Sequence, residues 1–299
     1  MGSVSLLLCS CGLTQFAIMN ENEELYSLAQ ITNGENTSQV PFGGDDGKDL
    51  FYQTLENGYF QIYKKDNVLS ASAIQKTNGN QSSHGATYSR ARDEIAFVRG
   101  YDIYMMSATK GKALKQITDT PNSLEGSPHF SKDGKFLVYH KESRTVAAYD
   151  GEIWMKNLET NENILLGNGY FPKISPDGTR IVYMKYDSPY GVAYKRSSIW
   201  IMDIDGGNQS QLIDAQRGWA KLPTWSPDGR KIIFQWERTD KADEDIYVVD
   251  IDGENLVQLT QNESFDGQPY WATDNCIYFC SDRGGKKGNY QIWRFKFEE

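Results

Sequence analysis

A chain that repeats one hairpin at a fixed interval can fold in few ways, and this chain repeats one six times. The clearest copy is Leu222-Pro-Thr-Trp-Ser-Pro-Asp-Gly-Arg-Lys-Ile-Ile-Phe-Gln-Trp236. A short apolar segment runs into Ser-Pro-Asp-Gly, and a second apolar segment leaves it. Proline presets φ for a turn, aspartate supplies a side-chain acceptor, and glycine accepts the backbone that closes it. The aspartate marking this turn recurs as Asp46, Asp93, Asp133, Asp177, Asp228 and Asp274, roughly 40–50 residues apart. A second, independent marker keeps the same spacing. It is an isoleucine followed by an aromatic residue: Ile62-Tyr63, Ile103-Tyr104, Ile153-Trp154, Ile199-Trp200, Ile246-Tyr247 and Ile292-Trp293.

Each unit therefore predicts four strands. Strand a reads Pro-x-aromatic, strand b is the apolar run after the turn, strand c carries the Ile-aromatic pair, and strand d ends in Leu/Ile-Thr, as at Gln116-Ile-Thr118 and Gln258-Leu-Thr260. Four-stranded units at this period predict an all-β, six-bladed β-propeller of antiparallel blades. The last copy stops after strand c, while Leu25-Tyr-Ser-Leu-Ala-Gln-Ile-Thr32 ends like a strand d. Placing that N-terminal strand on the last blade closes the ring and removes two unpaired edges. The expectation is one propeller domain over 21–299, with residues 1–20 outside it.

A net charge of −9 argues against a nucleic-acid partner, because phosphate contacts need a basic surface. Of the four cysteines, Cys276 and Cys280 sit on one expected strand. Four strand residues span about 13 Å, too far for a disulfide. Leu8-Cys-Ser-Cys11 resembles a bacterial lipobox, with Cys11 as the lipidated residue. The apolar run before it is short and carries no Lys or Arg, so an ordinary apolar N-terminus is the alternative. The expected location is the periplasm or the outer membrane through a lipid anchor, with the cytoplasm as the alternative. A monomer is expected, touching membrane only through that anchor.

The Pro-x-Trp-Ser-Pro-Asp-Gly turn at 223–229, the Ile-Tyr/Trp strands, and the turns Asp203-Ile-Asp-Gly206 and Asp250-Ile-Asp-Gly253 followed by Gln-Leu-Thr resemble the propeller of TolB and its relatives. They also resemble the propeller of prolyl-oligopeptidase-type peptidases. The resemblance covers roughly residues 25–297 and implies the fold more than the function. TolB proper carries an α/β domain before its propeller, and the peptidases carry a hydrolase domain after it. Neither is expected within these 299 residues beside a six-bladed propeller.

The sequence holds no Gly-x-Ser-x-Gly nucleophile elbow. Its only histidines are His84, His129 and His140, read onto strand a of blade two, strand a of blade three and the end of strand b of blade three. They could meet at one channel mouth, as a propeller lyase would require, or be unrelated neighbours. No spaced ligand motif accompanies them, so neither a metal nor a cofactor is expected. The Asp-x-Asp-Gly segments lack an EF-hand ligand set and read as Asx turns.

Aligning the blades gives one more signal. The second residue after the strand-b aromatic is Thr54, Arg99, Lys141, Lys185, Trp236 or Ser281. Three successive blades thus place a cation at one position, beside a long loop that includes Tyr186 and Tyr190. The expected ligand-binding face comprises Arg99, Lys141, Lys185, Trp236, His84, His129, His140, Tyr186 and Tyr190. The alternative is that the cations snorkel at strand ends and the tyrosines pack their own blade. These features predict a non-catalytic envelope protein that binds a protein, peptide or glycan. A hydrolase or lyase with a channel-mouth site is the alternative, and a scaffold serving a separate hydrolase chain is a third reading.

Overall fold

The structure, a computed structural model, describes residues 28–43, 48–110, 113–145, 151–187, 196–238 and 244–297. Its strands form four four-stranded antiparallel sheets and one eight-stranded sheet, the latter made of two a-b-c-d units joined at a single parallel pair, Ser197 with Trp219. The a strands are Ser38–Gly43, Ser83–Ser89, Ser123–Phe130, Tyr170–Ile174, Gly218–Trp225 and Asp266–Trp271. These six pack against one another in a cycle, the last against the first. The b strands are Leu50–Glu56, Glu94–Arg99, Phe136–Ser143, Arg180–Tyr186, Lys231–Arg238 and Cys276–Ser281. The c strands carry the Ile-aromatic pairs. The outer strand of the sixth unit is Ala29–Gln30, which pairs antiparallel with Gln291–Lys296. Among the described residues no helix is long and apolar enough to cross a membrane.

The repeated motifs are local hydrogen-bond devices. In three blades the turn is built identically. Ser131 Oγ donates to Asp133 Oδ1 at 2.6 Å, and that oxygen also accepts the Lys135 amide at 3.0 Å. Ser175, Asp177 and Thr179 repeat the pattern, as do Ser226, Asp228 and Arg230. The serine and amide donors hold the Asp133 and Asp177 carboxyls below the usual carboxylate range. The Asp-x-Asp-Gly carboxylates are likewise spent on their own turns: Asp203 accepts from Asn208 Nδ2 at 2.6 Å and Asp250 from Asn255 Nδ2 at 2.7 Å.

The Leu/Ile-Thr signal fastens strand d to the buried isoleucine of strand c. The Ile103 amide donates to Thr118 Oγ1 at 2.8 Å, and its carbonyl accepts the Ile117 amide at 2.8 Å. Ile62 with Thr77 and Ile246 with Thr260 do the same. In the sixth blade Thr32 receives the Ile292 amide at 2.8 Å. The N-terminal segment therefore supplies the same latch that a continuous blade would carry.

Every a strand also contains one bulge. The left-handed residue in each is Val40, Gly85, Ser127, Phe171, Leu222 or Gln268, with φ between 50° and 57°. The ladder slips one residue at each. Five of the six precede a proline: Pro41, Pro128, Pro172, Pro223 and Pro269. Proline donates nothing to a ladder and keeps its predecessor out of the right-handed helical region. A non-glycine residue in the left-handed region costs on the order of 1–3 kcal/mol. Five such residues, with Gly85 at the sixth place, share one register position and mark a feature the ring imposes.

One expectation needs correcting here. Trp236 aligns with Lys141 and Lys185 but is only 2% exposed. It packs edge-on against Tyr247, 5.0 Å between ring centroids, in a core cluster with Phe234 and Ile232, because an indole at that depth fills the space between blades. It cannot present itself to a ligand on an outer face.

Candidate functional site in the central channel

The six a strands enclose a channel of about 520 Å³. Its apolar wall includes Phe42, Leu124, Phe171, Leu222, Trp225 and Tyr270. The bulges set what faces inward. The residue two places after each left-handed residue is Phe42, Thr87, His129, Lys173, Thr224 or Tyr270, and all six line the channel.

All three histidines lie on this wall. His84 precedes the left-handed Gly85 by one residue, whereas His129 follows the left-handed Ser127 by two, so the two are not equivalent. His129 Nδ1 accepts the Ile174 amide at 3.2 Å, which puts the imidazole proton on Nε2. Burial, reinforced by the charge of nearby Lys173, holds His129 well below its usual titration range, and it stays neutral. The His140 ring lies over Gly126, where a Cβ would collide with it, and against Tyr170 and Phe171, each with centroids 5.3 Å away. Burial pushes His140 down to about 4, and its Nδ1 has no partner among the described residues. Burial also lowers His84.

Lys173 is the residue that sequence reasoning missed. Among the described residues its ammonium has neither a hydrogen bond nor an ion pair, and burial alone pushes it down to about 8. Its backbone carbonyl accepts from Trp225 Nε1 at 2.8 Å, which fixes blade four against blade five. The one available signal was Pro172, since the residue after each of these prolines turns into the channel.

The three aligned cations are not gathered into this site. Arg99 donates to Ser83 Oγ from Nε at 3.1 Å and from a terminal nitrogen at 2.8 Å. Lys141 pairs with Glu152 at 3.2 Å and sits 4.1 Å from the Trp154 ring centroid. Lys185 sits 4.1 Å from that of Trp200 and donates to Gln209 Oε1 at 3.2 Å. Each is engaged within its own blade. Tyr186 packs edge-on against Tyr170 at 4.9 Å. Tyr190 and Cys11 lie outside the described residues. Cys276 and Cys280 are both free and buried. Among the described residues no three His, Cys, Asp or Glu side chains are grouped to hold a metal ion.

Residues 141–299 match the family model of the TolB beta propeller domain. Atu1656, an uncharacterized protein of Agrobacterium fabrum, is 29% identical over 193 residues, covering 62% of this chain and 59% of its own length. A structure assigned as TolB from Agrobacterium tumefaciens superposes with a TM-score of 0.64 at 18% identity, covering 91% of this chain and 97% of the other. An oligogalacturonate lyase in complex with manganese superposes with a TM-score of 0.63 at 16% identity, covering 91% and 93%. At these identities the structural likeness carries the fold alone.

Proposed function

This chain belongs to the TolB beta-propeller family, and from that premise we propose that it is a binding propeller of the bacterial envelope whose channel receives part of a protein, peptide or glycan. The observation that carries this reading is the character of the channel wall. Apolar and aromatic side chains surround a small number of polar groups, two of which, Lys173 Nζ and His129 Nε2, have no protein partner among the described residues. A mostly apolar cavity of this volume with a few convergent polar groups is the usual form of a ligand site. The aligned outer cations, by contrast, are already engaged. A periplasmic location accords with the family and with the lipobox-like start.

A second reading, a hydrolase or lyase working in the channel, draws on the same pair. A neutral imidazole beside an amine lowered to about 8 could move protons near neutral pH. One experiment separates both readings from their failure. Peptide and glycan arrays are probed with the full chain and with Phe171→Ala/Leu222→Ala, and bound ligands are then followed for turnover. At least tenfold weaker capture by the double variant, with ligand recovered intact, is the expected outcome. Turnover would favour the enzyme. Equal capture by both proteins would overturn a channel site.

A further inference from the structure

We propose that the group recognised in the channel is a carboxylate carried on an apolar body, with the Lys173 ammonium and the His129 Nε2–H as its donors. This rests on the binding reading above and names the chemistry it selects.

Four observations converge. First, the bulges place His129 and Lys173 at equivalent positions on adjacent a strands of the channel wall, His129 Nδ1 bonds the amide of Ile174, the residue after Lys173, and the Lys173 charge is near enough to lower His129. Second, that same amide fixes the tautomer. His129 therefore offers an N–H and no lone pair toward a ligand, and being neutral it does not repel the ammonium. Third, Lys173 is a half-buried cation on the channel wall without a counter-charge among the described residues. Burying a charge unpaired is unfavourable, and an arriving anion supplies what the protein withholds. Fourth, the one carboxylate among the lining residues, Glu125, accepts from Thr118 Oγ1 at 3.3 Å in blade two, and burial raises its carboxyl. It is not the missing partner.

The donor set also limits the anion. One ammonium and one imidazole N–H suit the two oxygens of a single carboxylate. A phosphate dianion would need more positive charge than this wall provides. Phe171, Leu222, Leu124 and Trp225 line the same channel with apolar surface, so the body carrying the carboxylate should be apolar. Two sources offer this chemistry: a free aryl or alkyl acid, and the C-terminus of a polypeptide ending in a hydrophobic residue.

The other titratable groups lining the channel are His84, His140, Glu125, Lys132, Tyr88 and Tyr270. His84 and His140 are lowered by burial and Tyr88 is raised by burial.

Calorimetry on the full chain with two pairs of probes tests the inference. Phenylacetate is compared with phenylacetamide, and N-acetyl-Gly-Phe with its C-terminal amide. Each acid should bind at least tenfold more tightly than its amide at pH 7. As pH rises above about 8 the acid's affinity should fall, approaching tenfold per pH unit, as Lys173 loses its proton. Lys173→Met should abolish both the preference and the pH dependence, and Lys173→Arg should keep the preference. The tighter of the two acids identifies the source.

Equal binding of acid and amide, no binding of either acid to the wild type, or a preference that survives Lys173→Met would overturn the carboxylate. If the amides bind and Phe171→Ala weakens them, the channel reading stands without it. If array ligands bind regardless of channel substitutions, the channel reading itself has failed.

Discussion

The ring has one backbone plan and two differently furnished halves. In blades six, one and two, glutamines receive the bulge amides. Gln268 Oε1 accepts the Val40 amide at 2.8 Å, Gln53 Oε1 the Gly85 amide at 3.1 Å, and Gln235 Oε1 the Gln268 amide at 3.0 Å. In blades three, four and five, no side chain among the described residues receives the amides of Ser127, Phe171 and Leu222. The neighbouring strand-b positions there hold Val98, His140 and Met184. The contrast extends to buried charge. Asp266 and Glu125 occupy the same register position in blades six and three. Asp266 is paired with Arg283, whereas among the described residues Glu125 and Lys173 have no ion pair. The halves thus differ in their glutamine clasps and in the ion pair on the buried carboxylate, although one oxygen of each carboxylate, Asp266 Oδ1 and Glu125 Oε1, lacks a hydrogen bond among the described residues. Unpaired charge is tolerated where something else completes it, and the channel corner proposed above lies on blades three and four.

The sharpest way to test this division is to break the ion pair of the clasped half. Arg283→Met leaves Asp266, wholly buried, without its guanidinium. Removing one partner of a buried pair costs about 3–5 kcal/mol. Urea unfolding should show a loss of that size, and part of it should return at acid pH. Burial already raises the Asp266 carboxyl despite Arg283, so the orphaned group will readily take a proton. A loss below about 1 kcal/mol would mean that the pair is not what completes this half.

The unclasped half should respond with the opposite sign. Lys173 titrates at about 8 in the folded chain against 10.5 for an ordinary lysine. Between those values the unfolded chain holds the proton and the folded chain does not, so wild-type stability rises as pH rises through that window. Below pH 8 the half-buried ammonium carries its full cost, at most roughly 3 kcal/mol and less to the extent that water in the channel screens it. Lys173→Met should therefore melt higher than the wild type at pH 7, with the advantage shrinking toward pH 10.5. A variant less stable than the wild type at pH 7 would show that Lys173 has a partner in solution.

The glutamine clasps come next. Gln235→Ala leaves the Gln268 amide without its acceptor, at a cost of about 1–3 kcal/mol. Hydrogen exchange at that amide should accelerate by a matching factor. Unchanged exchange would remove the distinction between the halves.

Much of this could be read from the residues, and the reason is locality. Ser-Pro-Asp-Gly, Ile-Tyr/Trp and Leu-Thr each encode contacts made within one blade, and the Thr32 latch on Ile292 repeats a local rule at the ends of the chain. The site was less legible because its chemistry crosses blades. Gln235 and Gln268 are separated by 33 residues, and His129 meets the Ile174 amide across 45. Lys173 looks like any strand lysine until Pro172 is recognised as the mark of a bulge. Alignment put Trp236 beside Lys141 and Lys185 correctly in register, but register does not report depth.

The smallest expected effect bears most directly on where ligands bind. Lys141 and Lys185 are the aligned cations that the channel does not use. The Lys141–Glu152 pair is partly exposed, with side chains 23% and 36% accessible, and such pairs contribute at most about 1 kcal/mol. Each lysine also lies over a tryptophan, a contact of about 0.5–1 kcal/mol at such a site. Lys141→Ala/Lys185→Ala should thus lower stability by no more than about 2 kcal/mol in urea unfolding. It should leave acid binding within about twofold, because neither ammonium faces the channel wall. Should this double variant lose binding while Lys173→Met keeps it, the ligand lies on the outer blade seams. The missing glutamine clasps of blades three to five would then have some other cause.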